Sequence, residues 1–114
     1  MIGRFRGRSS FERLSQTGSR ARAGVLWCTF VLDPHATPPQ VAFAIGRAVG
    51  PAVTRNLLRR RLRSILQTQL PQLPPGLFLF GAVPAAARRS FSELTFDLTQ
   101  LIAKIAPVQA PPTP

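Results

Sequence analysis

The residues best equipped for chemistry in this chain are arginines, and they are bunched. Arg47, Arg55, Arg59, Arg60, Arg61 and Arg63 follow one another with no acidic residue among them. A guanidinium is a planar fork of donors that grips two phosphate oxygens at once, which a lysine cannot do. An ordinary solvated helix face mixes signs to form i,i+4 pairs, and this one does not. The pattern asks for a polyanion. The remaining inventory does not assemble a hydrolase. Four acids, Glu12, Asp33, Glu93 and Asp97, are scattered along the chain. His35 stands in a Pro-rich loop, and Cys28 in an apolar run reads as an inert buried thiol. No nucleophile–base pair, metal-ligating cluster or phosphate-cradling Gly loop is visible, so no catalytic residue and no metal site are expected in the protein itself.

The arginines need a helix to present them. Pro51 after Gly50 reads as the first helical position, where a missing N–H is no loss. At 100° per residue Leu58, Leu62, Ile65 and Leu66 share one arc and face a core. Arg55, Asn56, Arg59, Arg60 and Arg63 fall on the adjoining arc, with Arg61 on the far flank. The helix N-terminus beside Gly50 adds unpaired N–H groups and a positive dipole end, a second attraction for phosphate.

The stretch Gly46-Arg47-Ala48-Val49-Gly50-Pro51-Ala52-Val53-Thr54-Arg55-Asn56-Leu57-Leu58-Arg59-Arg60-Arg61-Leu62-Arg63 resembles the signature of the bacterial ribonuclease P protein component, roughly S-K-K-V-G-N-A-V-x-R-N-R-x-K-R-x-x-R. Val49, Gly50, Ala52, Val53, Arg55, Asn56, Arg60 and Arg63 match directly, Arg47 and Arg59 by charge. Gly46, Ala48, Pro51 and Leu57 depart from it. Leu57 replaces the second arginine of the Arg-Asn-Arg core and lies off the apolar stripe. The resemblance implies that Arg47, Arg55, Asn56, Arg59, Arg60 and Arg63 contact a catalytic RNA subunit. It also implies that Phe11 and Phe30 line a cleft for the 5′ leader of precursor tRNA. Where the family often has a second aromatic one turn after Phe11, this chain has Ser15.

Composition agrees with such a role. The chain has 114 residues, enough for one core, and a formal net charge of +11. Such a field draws polyanions and makes their binding strongly salt-dependent. No stretch approaches a transmembrane run and no apolar segment follows the basic N-terminus, so no membrane is expected and a cytoplasmic location is. A single cysteine excludes an internal disulfide and suits a reducing compartment.

In order along the chain, residues 1–8 read as a mobile basic arm. Ser9 and Glu12 fit a capping box for a short helix, with Phe11 and Leu14 as its apolar side and Gly18 as a left-handed stop. Ser19–Ala23 is a brief strand turned back at Gly24. Val25–Leu32 is the strongest strand signal; its two apolar faces predict a central strand with Trp27 in the core. Asp33–Pro39 reads as a hairpin loop. Val41, Phe43 and Ile45 fill one face of the next strand, while Ala42, Ala44 and Gly46 keep the other low. Small residues let a helix pack closely; the resemblance implies a second role, as the floor of a groove in which single-stranded RNA lies. After the arginine helix, Leu77–Phe80 predicts a buried strand parallel to an earlier one. Pro84–Arg89 is a loop, and Ser90 with Glu93 forms a second capping box. The last helix turns Phe91, Leu94, Leu98, Leu101, Ile102 and Ile105 to the core, and a Pro-rich tail over 107–114 is expected to be disordered.

The expected architecture is α+β: an αβββαβα two-layer sandwich of helices on one mixed sheet, a single RNA-binding domain over 9–106. The resemblance implies a fold like the second domain of ribosomal protein S5, with a left-handed βαβ crossover. It implies the protein subunit of ribonuclease P, the endoribonuclease that removes the 5′ leader from precursor tRNA. Its partners would be the ribonuclease P RNA, which catalyses with Mg²⁺ bound mainly by RNA, and precursor tRNA, with no small-molecule substrate. Two alternatives stand beside it. A general or ribosome-associated RNA-binding protein would share the charge and fold without favouring leader-bearing RNA. A membrane-active cationic protein would have to expose leucines that the core uses better.

Overall fold

The computed structural model describes residues 3–4 and 7–105. Strand β1 (Gly3–Arg4) leads to helix α1 (Gly7–Thr17), then strands β2 (Ser19–Ala23), β3 (Leu26–Leu32) and β4 (Gln40–Ala44). Helix α2 (Ala52–Thr68), strand β5 (Gly76–Ala82) and helix α3 (Phe91–Ile105) complete the chain. The strands form one mixed sheet in the order β1-β4-β5-β3-β2. Strand β5 is parallel to β4 and antiparallel to β3, so α2 is the crossover between two parallel neighbours. This is the expected α+β layering of helices on a mixed sheet.

Strand parity sorts the side chains into two faces. Leu26, Cys28, Phe78, Phe80 and Val41 turn to α2 and α3 and build the main core with Leu58, Leu62, Ile65, Leu66, Leu94, Leu98, Leu101, Ile102 and Ile105, all buried. Both helix stripes fall where the 3.6-residue period puts them. The Cys28 thiol is fully buried, which pushes its pKa up and keeps it a neutral thiol. On the opposite face Leu14 of α1 packs with Ala36 and Leu77, and Val31 and Leu79 flank them.

Several expectations change. Segment 33–39 is no hairpin: β3 and β4 are not neighbours, because β5 inserts between them and pairs with both. A buried apolar strand gains partners on both sides that way, which a local turn signal cannot reveal. Helix α1 starts at Gly7, so Ser9 lies inside its first turn and not at its cap; a cap preference is worth only about 1 kcal/mol. Gly18 is not left-handed. It is needed for space, since a Cβ there would stand 2.3 Å from the Leu14 carbonyl oxygen and 2.9 Å from Thr29 Cγ2. Phe91 lies on the right arc of α3 but is the helix's first residue, and it stays 48% exposed. Of the basic arm, Gly3–Arg4 pairs with β4 and Gly7–Arg8 opens α1, while residues 1–2 and 5–6 and the tail 107–114 lie outside the described residues.

The second capping box forms as expected. The Ser90 hydroxyl accepts from Glu93 N–H at 3.1 Å, and Glu93 Oε1 accepts from Ser90 N–H at 2.9 Å.

Candidate nucleic-acid interface

The arginine helix is launched from the end of β4. Ile45 and Val49 are buried, with a short 3-10 turn over Arg47–Val49 between the strand and Gly50. Gly50 has φ of 154°, a backbone region that side chains seldom enter, and a Cβ there would press on Thr54 at 3.1 Å. Pro51 then serves as the N-cap, so the helix begins one residue later than expected, without any side-chain cap for the N–H groups that follow. The first turn of α2 therefore offers bare donors and a dipole end.

The arginines divide into two kinds. Arg55 is half-buried and folds back, donating from Nε to the Gly50 carbonyl at 3.1 Å. It is a brace for the turn as much as a surface charge. Arg59 donates to Asn56 Oδ1 at 2.8 Å, so the two polar side chains hold each other on the outer arc. Arg60 and Arg63 are exposed, and Arg63 lies 5.6 Å from the centre of the Phe43 ring. Arg47 is exposed in the 3-10 turn. Among the described residues none of these arginines has an acidic partner; the ion pairs are Arg13 with Asp33 and Arg89 with Glu93. The positive field is uncompensated where the sequence placed it.

Leu57 is 40% exposed and lines a shallow groove with Thr54, Arg61, Ala86 and Ala87. The segment after β5, read as a loop, is a second 3-10 turn over Pro84–Arg88 that packs against the Arg47–Val49 turn. Arg88 is exposed at the end of that turn.

The other half of the site is the sheet face away from α2 and α3. Its residues lie in cross-strand rows: Gln40, Leu77 and Val31; then Ala42, Leu79, Thr29 and Arg20; then Ala44, Gly81, Trp27 and Arg22. Helix α1 covers the first row through Leu14. The third row lies at the end of the sheet where β4 runs on to Gly46 and Arg47, and it is low because Ala44 and Gly81 have almost no side chain. Phe11, on α1, is 47% exposed.

Phe30 does not join Phe11. It shares the parity of Leu26 and Cys28, and its ring stacks on Phe78 at 6.3 Å between centroids, on the core side of the sheet. The aromatic on the trough side is Trp27, half-buried, with the Arg20 guanidinium 4.6 Å from its ring centre. Trp27 was expected in the core and Phe30 in the cleft. The geometry exchanges them, because one-residue parity decides the face and both faces of this strand are apolar.

Three of the four acids are occupied structurally. Asp33 accepts from Arg13 at 2.8 Å and from His35 N–H at 2.9 Å. Asp97 accepts from Val25 N–H at 3.2 Å, and Glu93 caps α3. Among the described residues no three His, Cys, Asp or Glu side chains gather where they would hold a metal ion. No described helix is long and apolar enough to cross a membrane.

Comparison with known proteins places this arrangement in a family. The family model for ribonuclease P matches residues 3–106. A ribonuclease P protein component of Streptomyces griseus is 34% identical over 111 residues, covering 90% of each chain. That of Acidothermus cellulolyticus is 36% identical over 104 residues, covering 90% of this chain and 87% of the relative. Among solved structures, the RNase P protein of Staphylococcus aureus superposes with a TM-score of 0.79 at 16% identity, over 90% of this chain and 94% of that one. The Thermotoga maritima protein gives 0.78 at 20% identity, over 89% and 96%. The fold is theirs, and by the extent and identity of the sequence matches this chain belongs to the ribonuclease P protein family.

Proposed function

We infer that this chain is the protein subunit of bacterial ribonuclease P, the ribonucleoprotein that removes the 5′ leader from precursor tRNA, and that it acts by position rather than by chemistry. The observation that carries this reading is the joining of two surfaces at one end of the sheet. An α2 face of uncompensated arginine meets a low sheet trough at Gly46–Arg47. Arg47, Asn56, Arg59, Arg60 and Arg63 neutralise phosphates of the catalytic RNA, and Arg55 keeps the Gly50 turn in shape for them. The leader lies along the trough with Phe11 at its side, an extended strand needing a shallow basic bed and an aromatic surface. Among the described residues the acids do not fit a Mg²⁺ site, being dispersed, with Asp33, Glu93 and Asp97 engaged in turns and a cap. In this reading hydrolysis rests with the RNA and its Mg²⁺. The protein reduces the repulsion between two RNAs and so the Mg²⁺ they require. The setting is the cytoplasm of a bacterium.

The test is affinity of the holoenzyme for precursor against mature tRNA. Adding this chain to a bacterial ribonuclease P RNA should tighten precursor binding and leave mature tRNA nearly unchanged. An equal gain for both would favour a general RNA-binding protein instead.

A further inference from the structure

The third row of the open sheet face carries more than a flat floor. Trp27 lies directly on β5: a Cβ added to Gly81 would fall 2.0 Å from Trp27 Cζ2 and 2.2 Å from Cε2. The six-membered ring therefore rests on bare backbone at Gly81, and only glycine leaves room for it. Its sheet side being taken, the ring is covered outwardly by Arg20, whose guanidinium carbon stands 4.6 Å from the ring centre. Arg20 reaches it diagonally, since it pairs with Thr29 while Arg22 pairs with Trp27. No ion pair among the described residues engages Arg20 or Arg22. The result is a cation held over the Trp27 ring, at the β2 edge of the trough.

We propose that Arg20, laid on Trp27 over Gly81, is a stacking platform for one unpaired RNA base. The proposal rests on the leader reading above and adds a second aromatic station to it, on the side of the trough away from α1. A guanidinium plane stacks on a base as an aromatic ring does, tolerates any base, and carries a charge for the neighbouring phosphate. Seating the guanidinium over Trp27 limits the rotamer freedom that binding would otherwise have to freeze. The occupant is single-stranded RNA because the row is basic, open and low, which suits a chain with exposed bases and phosphates. From β4 to the edge strand β2 is three strand spacings, about 14 Å. Only a leader long enough to cross the trough reaches the platform.

Trp27 is the chain's single tryptophan and there is no tyrosine, so its emission reports this site alone. The full-length protein is titrated with a single-stranded RNA pentanucleotide and, separately, with inorganic polyphosphate. The platform predicts a change in Trp27 emission with the pentanucleotide and none with polyphosphate at saturation. Binding of the pentanucleotide with unaltered Trp27 emission would overturn it. Arg20→Ala and Arg20→Lys then separate the plane from the charge. Arg20 is exposed on an edge strand, so neither change threatens the fold. Both variants should bind the pentanucleotide roughly tenfold more weakly, the scale of one lost base stack. Wild-type affinity in Arg20→Lys would reduce the site to a point charge and sink the platform. A pentanucleotide signal in a protein that does not prefer precursor tRNA would uphold the platform and overturn the leader reading instead.

Discussion

Removing the two most exposed arginines of α2, in the variant Arg60→Ala plus Arg63→Ala, should separate RNA docking from folding. Neither residue has an acidic partner among the described residues. Arg63 gives up its place 5.6 Å from the Phe43 ring, about 0.5–1 kcal/mol for an exposed cation over an aromatic face. Against that, the like-charge neighbours Arg59–Arg63 and Arg60–Arg63 are relieved, a few tenths of a kcal/mol each, and alanine is the better helix former. The fold should thus change by less than about 1 kcal/mol. RNA affinity should change far more. If each arginine neutralises one phosphate, the slope of log K against log salt falls by about 0.9 per residue, about 1.8 in all. Extrapolated from 1 M, where counterion release contributes nothing, that is roughly 60-fold weaker binding at 0.1 M salt. The assay is the dissociation constant for ribonuclease P RNA across a KCl series at fixed Mg²⁺, with thermal unfolding in parallel. A well-folded variant whose slope equals the wild type's would refute the assignment of this face to RNA.

The same series tests Leu57→Arg. Leu57 is 40% exposed on the adjoining flank, so the substitution should add a phosphate contact, steepening the slope by about 0.9 and tightening binding roughly eightfold at 0.1 M salt; weaker binding would show that Leu57 packs against RNA. Phe11→Ala should cost precursor tRNA roughly tenfold in affinity and mature tRNA little, and an equal loss for both would return Phe11 to a structural role. The Glu93 carboxyl is held below the usual carboxylate range, first by the Ser90 N–H, then by the Ser90 hydroxyl and Arg89. A depressed folded pKa contributes stability above the unfolded pKa that is lost as pH falls through the folded one. Urea midpoints of wild type and Glu93→Gln should therefore differ at neutral pH and converge in acid; a gap that persists in acid would mean the charge is not what stabilises the cap.

How much of this was legible in the sequence depends on the range of the interaction. The α2 stripe of Leu58, Leu62, Ile65 and Leu66 and the Ser90–Glu93 box are local patterns, and both appear as read. The insertion of β5 between β3 and β4 is a choice among distant partners, so Asp33–Pro39 looked like a hairpin when it is not. Phe30 and Trp27 were assigned to the wrong sides for a related reason. When both faces of a strand are apolar, alternation carries no information about which one a helix covers. The flat bed under Trp27 comes from Gly81 on another strand, and the Pro84–Arg88 turn packs on the Arg47–Val49 turn. Neither relation has a signature in the order of residues. The brace from Arg55 to Gly50 is close in sequence, yet helical angle alone placed Arg55 with the exposed arginines.

The most direct measurement is cleavage of precursor tRNA at low Mg²⁺ by a bacterial ribonuclease P RNA, with and without this protein. A correctly cut 5′ end is expected only when the protein is present, with no cleavage by the protein alone. Tight RNA binding without any stimulation of cleavage would contradict it.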